Sequence, residues 1–172
     1  GPTSACYAVY DERRVLVGVR QIPENPFAVL ADSEIIANAP VQTLRAGIGD
    51  AITKKFEAEA CAKGTGGNVF GTRPLLTAAT VADLAYQTLR RDAVAAIEAT
   101  AARHVSDALE NVIEAVFLMG GLGFENGGLS VAHSMTRGLA QQQDARDIQH
   151  GLQVAWGLLA QIAVEKRPDA FL

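Results

Sequence analysis

The spacing of apolar residues changes once along this chain, near Asp32, and that change limits what the chain can fold into. Before it, Ala5–Tyr10 and Val15–Val19 are runs of β-branched and aromatic residues, separated by the polar Asp11-Glu12-Arg13-Arg14. That pattern predicts a β-hairpin. Pro23 and Pro26 interrupt the chain, and Phe27–Ala31 is expected as a short third strand. After Asp32 the apolar residues recur every three or four positions, which is the helical period. Ser33–Ile36 opens a short helix, and Pro40 suits the first position of the next. A further helix is expected over 50–63, with Ile52, Phe56 and Ala60 on one face. Gly64–Thr72 is glycine-rich and predicts a loop, and Pro74 starts another helix. Ser106 is a favourable N-cap for the stripe Leu109, Val112, Ile113, Val116 and Phe117, which Gly120, Gly121 and Gly123 are expected to end. Helices over 127–139 and 147–166 follow, the last stopped by Pro168. The expected fold is mainly α, with six or seven packed helices and a small N-terminal hairpin. Residues 1–32 form the strands and 33–172 the helical domain.

A chain of 172 residues is long enough to bury about 70% of its unfolded surface in one core. Its net charge is −4 and its Lys and Arg are scattered, which argues against a nucleic-acid partner. Two cysteines, Cys6 and Cys61, with no CxxC spacing exclude a disulfide scaffold and suit a reducing compartment. The longest apolar stretch, Leu152–Val164, is interrupted by Gln153 and Gln161 and falls short of the roughly 18–20 residues of a membrane span. No signal-peptide pattern opens the chain. A cytoplasmic location is expected, with no membrane partner.

Few residues here can do chemistry. Of the three histidines, His104 sits just before the Ser106 cap, near the end of a helix expected to start around Arg91, and suits local hydrogen bonding. His133 follows the glycine turn and mostly small residues of 127–132, and His150 sits in the first turn of the last long helix. Asp50 lies between small residues in Gly47-Ile48-Gly49-Asp50-Ala51. It reads either as an N-cap or as a hard metal ligand. One carboxylate and two imidazoles leave a coordination position open, the pattern of a catalytic zinc.

The segment Gly121-Leu122-Gly123-Phe124-Glu125-Asn126-Gly127-Gly128-Leu129-Ser130-Val131-Ala132-His133 closely resembles the signature of the glycerol dehydrogenases. These belong to the metal-dependent, "iron-containing" alcohol dehydrogenase superfamily. Arg45–Ala51, Ile148–Gly151 with Val154–Gly157, and Pro2–Ala5 followed by Tyr7–Tyr10 resemble three further segments of that family, in the same order. The resemblance implies that Asp50, His133 and His150 are the metal ligands. It places Ser4, Cys6 and Tyr10 at the nicotinamide end of NAD, Phe124 on the wall of the substrate pocket, and His133 beside the substrate hydroxyls. Iron-binding members carry another histidine four residues after the aspartate. Lys54 stands there in this chain, so the resemblance favours zinc over iron. Thr136 replaces a usual histidine, and Leu152-Gln153 replaces a usual Glu-Lys.

The family also has an N-terminal NAD domain with a glycine-rich phosphate-binding turn. Gly64-Thr65-Gly66-Gly67 follows a helix rather than a strand and does not match it. The chain is therefore expected to be the helical metal-binding portion of a two-domain, NAD-dependent polyol dehydrogenase that continues beyond both ends. The expected partners are a small polyol and further copies of the same chain. Two alternatives remain at this level. A lyase domain like that of dehydroquinate synthase would need a basic cluster, and only Lys54, Lys55 and Arg137 lie near the candidate ligands. A helical assembly module would have kept the fold without catalysis.

Overall fold

A computed structural model describes residues 2–13 and 15–167. The hairpin is present: β1 (Cys6–Tyr10) pairs antiparallel with β2 (Leu16–Gln21), Cys6 opposite Gln21 and Val9 opposite Gly18. The Asp11 carboxylate accepts the backbone N–H groups of Arg13 and Val15 at 2.9 and 2.8 Å, which closes the turn. The third strand expected at Phe27–Ala31 does not form. Pro23 and Pro26 have no N–H to give a ladder, and Phe27 and Leu30 lie exposed. This segment is tied down instead by Asn25, whose amide donates to the buried Glu125 carboxylate. The same carboxylate accepts the N–H of Ala5.

Helices make up the rest. They are α1 (Ser33–Ala37), α2 (Val41–Lys63), α3 (Leu76–Ala101), α4 (Asp107–Glu114), α5 (Gly120–Gly127), α6 (Val131–Leu139), α7 (Gln143–Arg146) and α8 (His150–Val164). A π-helical turn over Ala115–Met119 joins α4 to α5 without a break. The described residues thus form seven helical rods. The expected stop at Pro168 lies outside the described residues.

Three boundaries differ from the sequence reading, each for a packing reason. No helix starts at Asp50, because α2 runs through it from Val41. Gly47 and Gly49 do not break that helix; an added Cβ at Gly49 would stand 2.7 Å from the Gly151 carbonyl oxygen, so the glycine is where α8 crosses. No helix starts near Arg91 either. The alanine-rich α3 contains no Gly or Pro and continues to Ala101. Nor do Gly120, Gly121 and Gly123 end α4: Gly123 packs on Ala82 and Lys54, and the chain leaves the helix only at Gly128, with φ +92°.

Ser106 does cap α4, its hydroxyl accepting the Leu109 N–H at 3.2 Å. Ser106→Ala is expected to cost about 1 kcal/mol, read as a lower urea midpoint at unchanged m-value.

α2 is the central rod. One face joins α3 and α4 through Leu44, Ala51, Leu89, Leu109 and Val112. The other packs Phe56 on Tyr86, edge to face at 5.5 Å, and on Val154, Leu158 and Ile162 of α8. α6 lies against α8, with Ala132 fully buried. Any side chain on the edge of α2 between these layers therefore faces α5, α6 and the start of α8.

Candidate metal centre

That edge carries Asp50, Lys54 and Glu57, at positions i, i+4 and i+7 of α2. Opposite them stand His133, in the first turn of α6, and His150, the first residue of α8. One ligand atom each from Asp50, His133 and His150 lies within 4.8 Å of the others. Asp50 Oδ1 and His133 Nε2 are 3.2 Å apart. The two imidazole rings are 5.4 Å apart, centre to centre.

Glu57 sets the orientation of His133. It is fully buried, and one carboxylate oxygen stands 2.7 Å from His133 Nδ1. The other accepts the backbone N–H groups of Ser130 and His133 at 2.9 and 3.0 Å. An imidazole that donates Nδ1–H to a carboxylate turns its Nε2 lone pair outward, here toward Asp50.

The electrostatics follow from burial and charge. Burial pushes Asp50 upward, but Lys54 and His133 outweigh it and hold the carboxyl well below the usual range. Burial and Lys54 push His133 down, yet hydrogen bonds to Asp50 and Glu57 leave it above the ordinary imidazole value. His150 is lowered, chiefly by burial, which keeps its ring neutral with a free lone pair. Burial and the Asp50 charge raise Tyr10, keeping its phenol protonated.

The donor set suits a divalent cation. Zinc takes nitrogen and oxygen donors at about 2.0–2.2 Å, which separates the corners of a tetrahedron by roughly 3.3–3.6 Å. The Asp50–His133 separation is already close to that. A cation does stand at this place: Lys54 Nζ lies 2.6 Å from Asp50 Oδ1 and 3.1 Å from His133 Nε2.

The cluster opens into a cavity of about 820 Å³, lined among others by Cys6, Tyr10, Phe124, Thr136 and Arg137.

No family model matches the chain. It is 38% identical over 167 residues to the glycerol dehydrogenase of Escherichia coli O6:H1, covering 97% of this chain and 46% of that protein. It is 37% identical over 169 residues to the glycolaldehyde reductase of Halobacterium salinarum, covering 98% and 46%. The crystal structure of a probable glycerol dehydrogenase from Sinorhizobium meliloti superposes with a TM-score of 0.93 at 38% identity, covering 97% of this chain and 47% of that one. This chain is a homologue of part of a glycerol dehydrogenase. It spans about half the length of the curated relatives it matches.

Within this glycerol dehydrogenase homologue, the structure brings Asp50, His133 and His150 together, with Phe124, Cys6 and Tyr10 on the same cavity. Ser4 is buried behind the strand, its hydroxyl directed at the Cys6 carbonyl, and is not among the cavity's lining residues. His104 lies exposed in the turn between α3 and α4, its backbone N–H on Ala99, apart from the cluster. Of the basic residues, Lys55 turns away to Asp83 and Glu59. Glu57 was missed by the sequence reading, although its helical spacing from Asp50 pointed to the same face. Thr136 donates its hydroxyl to the His133 carbonyl at 2.7 Å, and Gln153 donates to the carbonyls of Ala145 and Ile148. Both replacements of usual family residues are thus engaged in backbone contacts.

Proposed function

We propose that Asp50, His133 and His150 hold one divalent cation, zinc rather than iron. The chain is then the metal-binding helical part of an NAD-dependent glycerol or polyol dehydrogenase, which oxidises a secondary alcohol to a ketone. The observation that carries this reading is the meeting of one carboxylate and two imidazoles within 4.8 Å, with His133 turned toward the meeting point by Glu57. Zinc in this place supplies Lewis acidity toward a substrate oxygen, and NAD takes up the hydride.

The chain's own residues do the positioning. Glu57 holds the His133 ring, and the crossing of α2 with α8 fixes Asp50 relative to His150. Phe124 forms an apolar wall for the carbon skeleton, and Thr136 and Arg137 line the same cavity. The Tyr10 phenol, kept protonated, offers a donor at the hairpin side, where Cys6 also meets the nicotinamide end of the cofactor. Relatives named for glycerol and for glycolaldehyde support a small hydroxylated substrate. Exposed Tyr7, Val17, Val19, Phe27 and Leu30 leave apolar surface on the N-terminal segment, which supports a covering by further protein, a second copy included. No helix among the described residues is long and apolar enough to cross a membrane.

Zinc loading of the full protein, as its gene encodes it, tests the proposal. Wild type is expected to retain about one zinc per chain after dialysis, because the three donors complete an open tetrahedral site. Asp50→Asn and His150→Ala are expected to weaken zinc by about 100-fold or more in competition with a chelator, while His104→Ala stays at wild-type affinity. Unchanged zinc affinity in both ligand variants would remove the metal from this site.

A further inference from the structure

Lys54 brings a tethered positive charge to the place where an exchangeable cation would bind. Its Nζ lies 2.6 Å from Asp50 Oδ1 and 3.1 Å from His133 Nε2, and its side chain is 5% exposed. Those two acceptor atoms are the ones a metal ion would take, and they stand only 3.2 Å apart. A lone pair on His133 Nε2 serves either an N–H donor or a metal, not both at once. An ammonium and a divalent cation would also repel one another across this gap.

We propose that Lys54 is a built-in competitor for the divalent cation. In the metal-free protein it holds Asp50 and His133 in register, and a metal binds only when Nζ withdraws. This rests on the reading of Asp50, His133 and His150 as metal ligands. From this same position Nζ is already 5.8 Å from the centre of the Phe124 ring, a cation–π distance, and Lys54 and Phe124 line the same cavity, so an amine that leaves Asp50 and His133 has the ring and the open cavity beside it. The lysine stem is anchored where its Cβ packs beneath Gly123, so the motion is confined to the end of the side chain. Lys55 cannot substitute, because it is committed to Asp83 and Glu59. The site therefore keeps its geometry without metal and binds its ion less tightly than the three donors alone would.

The test is zinc titration of the full protein against a chromogenic chelator at fixed pH and ionic strength. The proteins compared are wild type, Lys54→Met, Lys54→Gln and Lys54→Arg, with folding checked by circular dichroism. Removing the charge in Lys54→Met or Lys54→Gln is expected to tighten zinc by tenfold or more, about 1.4 kcal/mol. Lys54→Arg, which keeps the charge, is expected to bind no tighter than wild type. A second readout is melting temperature. Without zinc, Lys54→Met should melt below wild type, since Asp50 loses its partner; with zinc it should gain more than wild type does. Zinc binding by wild type and both neutral variants with less than a tenfold difference would overturn the proposal and leave the metal site standing. A gain in Lys54→Arg equal to that in Lys54→Met would overturn it too, because bulk rather than charge would be responsible. Zinc binding by none of the proteins would overturn both this proposal and the metal site.

Discussion

Glu57→Ala is expected to cost about 3–5 kcal/mol of stability, the loss typical of breaking a buried charged pair by removing one partner. Glu57 is fully buried and accepts from Ser130 N–H, His133 N–H and His133 Nδ1. Alanine leaves all three donors without an acceptor inside the protein. It also removes a negative charge from the N-terminus of α6, where the helix dipole favours one. The isosteric Glu57→Gln separates stability from orientation. Its carbonyl oxygen keeps the two backbone N–H groups. Its NH₂ then faces His133 Nδ1, which has to accept. The ring proton moves to Nε2 and occupies the lone pair directed at Asp50. Glu57→Gln is therefore expected to fold but to bind zinc roughly 10–100-fold more weakly, the usual effect of losing the group that orients a ligand histidine. Wild-type zinc affinity in Glu57→Gln would show that His133 does not ligate through Nε2.

The pH dependence follows from two opposed shifts. Burial raises Glu57, but its bond to His133 more than compensates and lowers it below the ordinary value. Its contribution is present above the unfolded carboxyl value and is lost as pH falls through the lower folded one. His133 is raised, so its contribution is full below the unfolded imidazole value and is lost as pH rises through the higher folded one. In metal-free protein the stability gap between wild type and Glu57→Gln should be widest between those limits and narrow on both sides.

What could be read in the sequence is what depends on near neighbours. Ser106 is three residues from the N–H it caps, and the hairpin and the helical period after Asp32 are equally local. Gly47 and Gly49 mislead because their meaning is set by residues far along the chain, Val116 for Gly47 and Gly151 of α8 for Gly49. Two residues apart in sequence they resemble a break; in the fold each is the space that lets α2 touch a neighbour. The same holds for Gly120 and Gly123. Asp50 therefore reads as a possible helix start although it sits in mid-helix. Apolar period and residue type left its two roles open, and only the family resemblance joined it to His133 and His150. Lys54 stands out for the histidine it replaces, but nothing in the sequence tells where its amine points. Glu57 was the accessible omission: Asp50, Lys54 and Glu57 at i, i+4 and i+7 put two acids and a base on one stripe of α2. Such a stripe within an apolar helix calls for a partner across the interface.

Gly151→Ala is expected to be the most damaging single methyl that can be added to this protein's site. Gly151 follows His150 in the first turn of α8, and α8 there lies directly on α2 one turn before Asp50. A Cβ at Gly151 would stand 1.8 Å from the Ala46 carbonyl oxygen and 2.6 Å from its carbon. Both are backbone atoms of a central helix, and a Cβ has no rotamer with which to escape. Two effects compete. Alanine favours a helix over glycine by about 1 kcal/mol. Overpacking a close contact typically costs 1–3 kcal/mol, occasionally more, and here the overlap is with backbone rather than with a side chain. Overlap with backbone puts the clash at or above the top of that range, so a net loss of about 2 kcal/mol or more is expected, read as a fall of at least roughly 4–8 °C in melting temperature. Gly138→Ala is the matched control. An added Cβ on α6 there meets nothing within 4 Å, so helix propensity acts alone and a gain of about 0.5–1 kcal/mol is expected. The two variants carry the same chemical change with opposite expected signs. Because the crossing of α2 and α8 also sets the distance from Asp50 to His150, Gly151→Ala should weaken zinc at temperatures where it remains folded, whereas Gly138→Ala should not. Equal melting temperatures for Gly151→Ala and wild type would mean that α2 and α8 do not cross at Ala46, and the ligand cluster would lose the contact that assembles it.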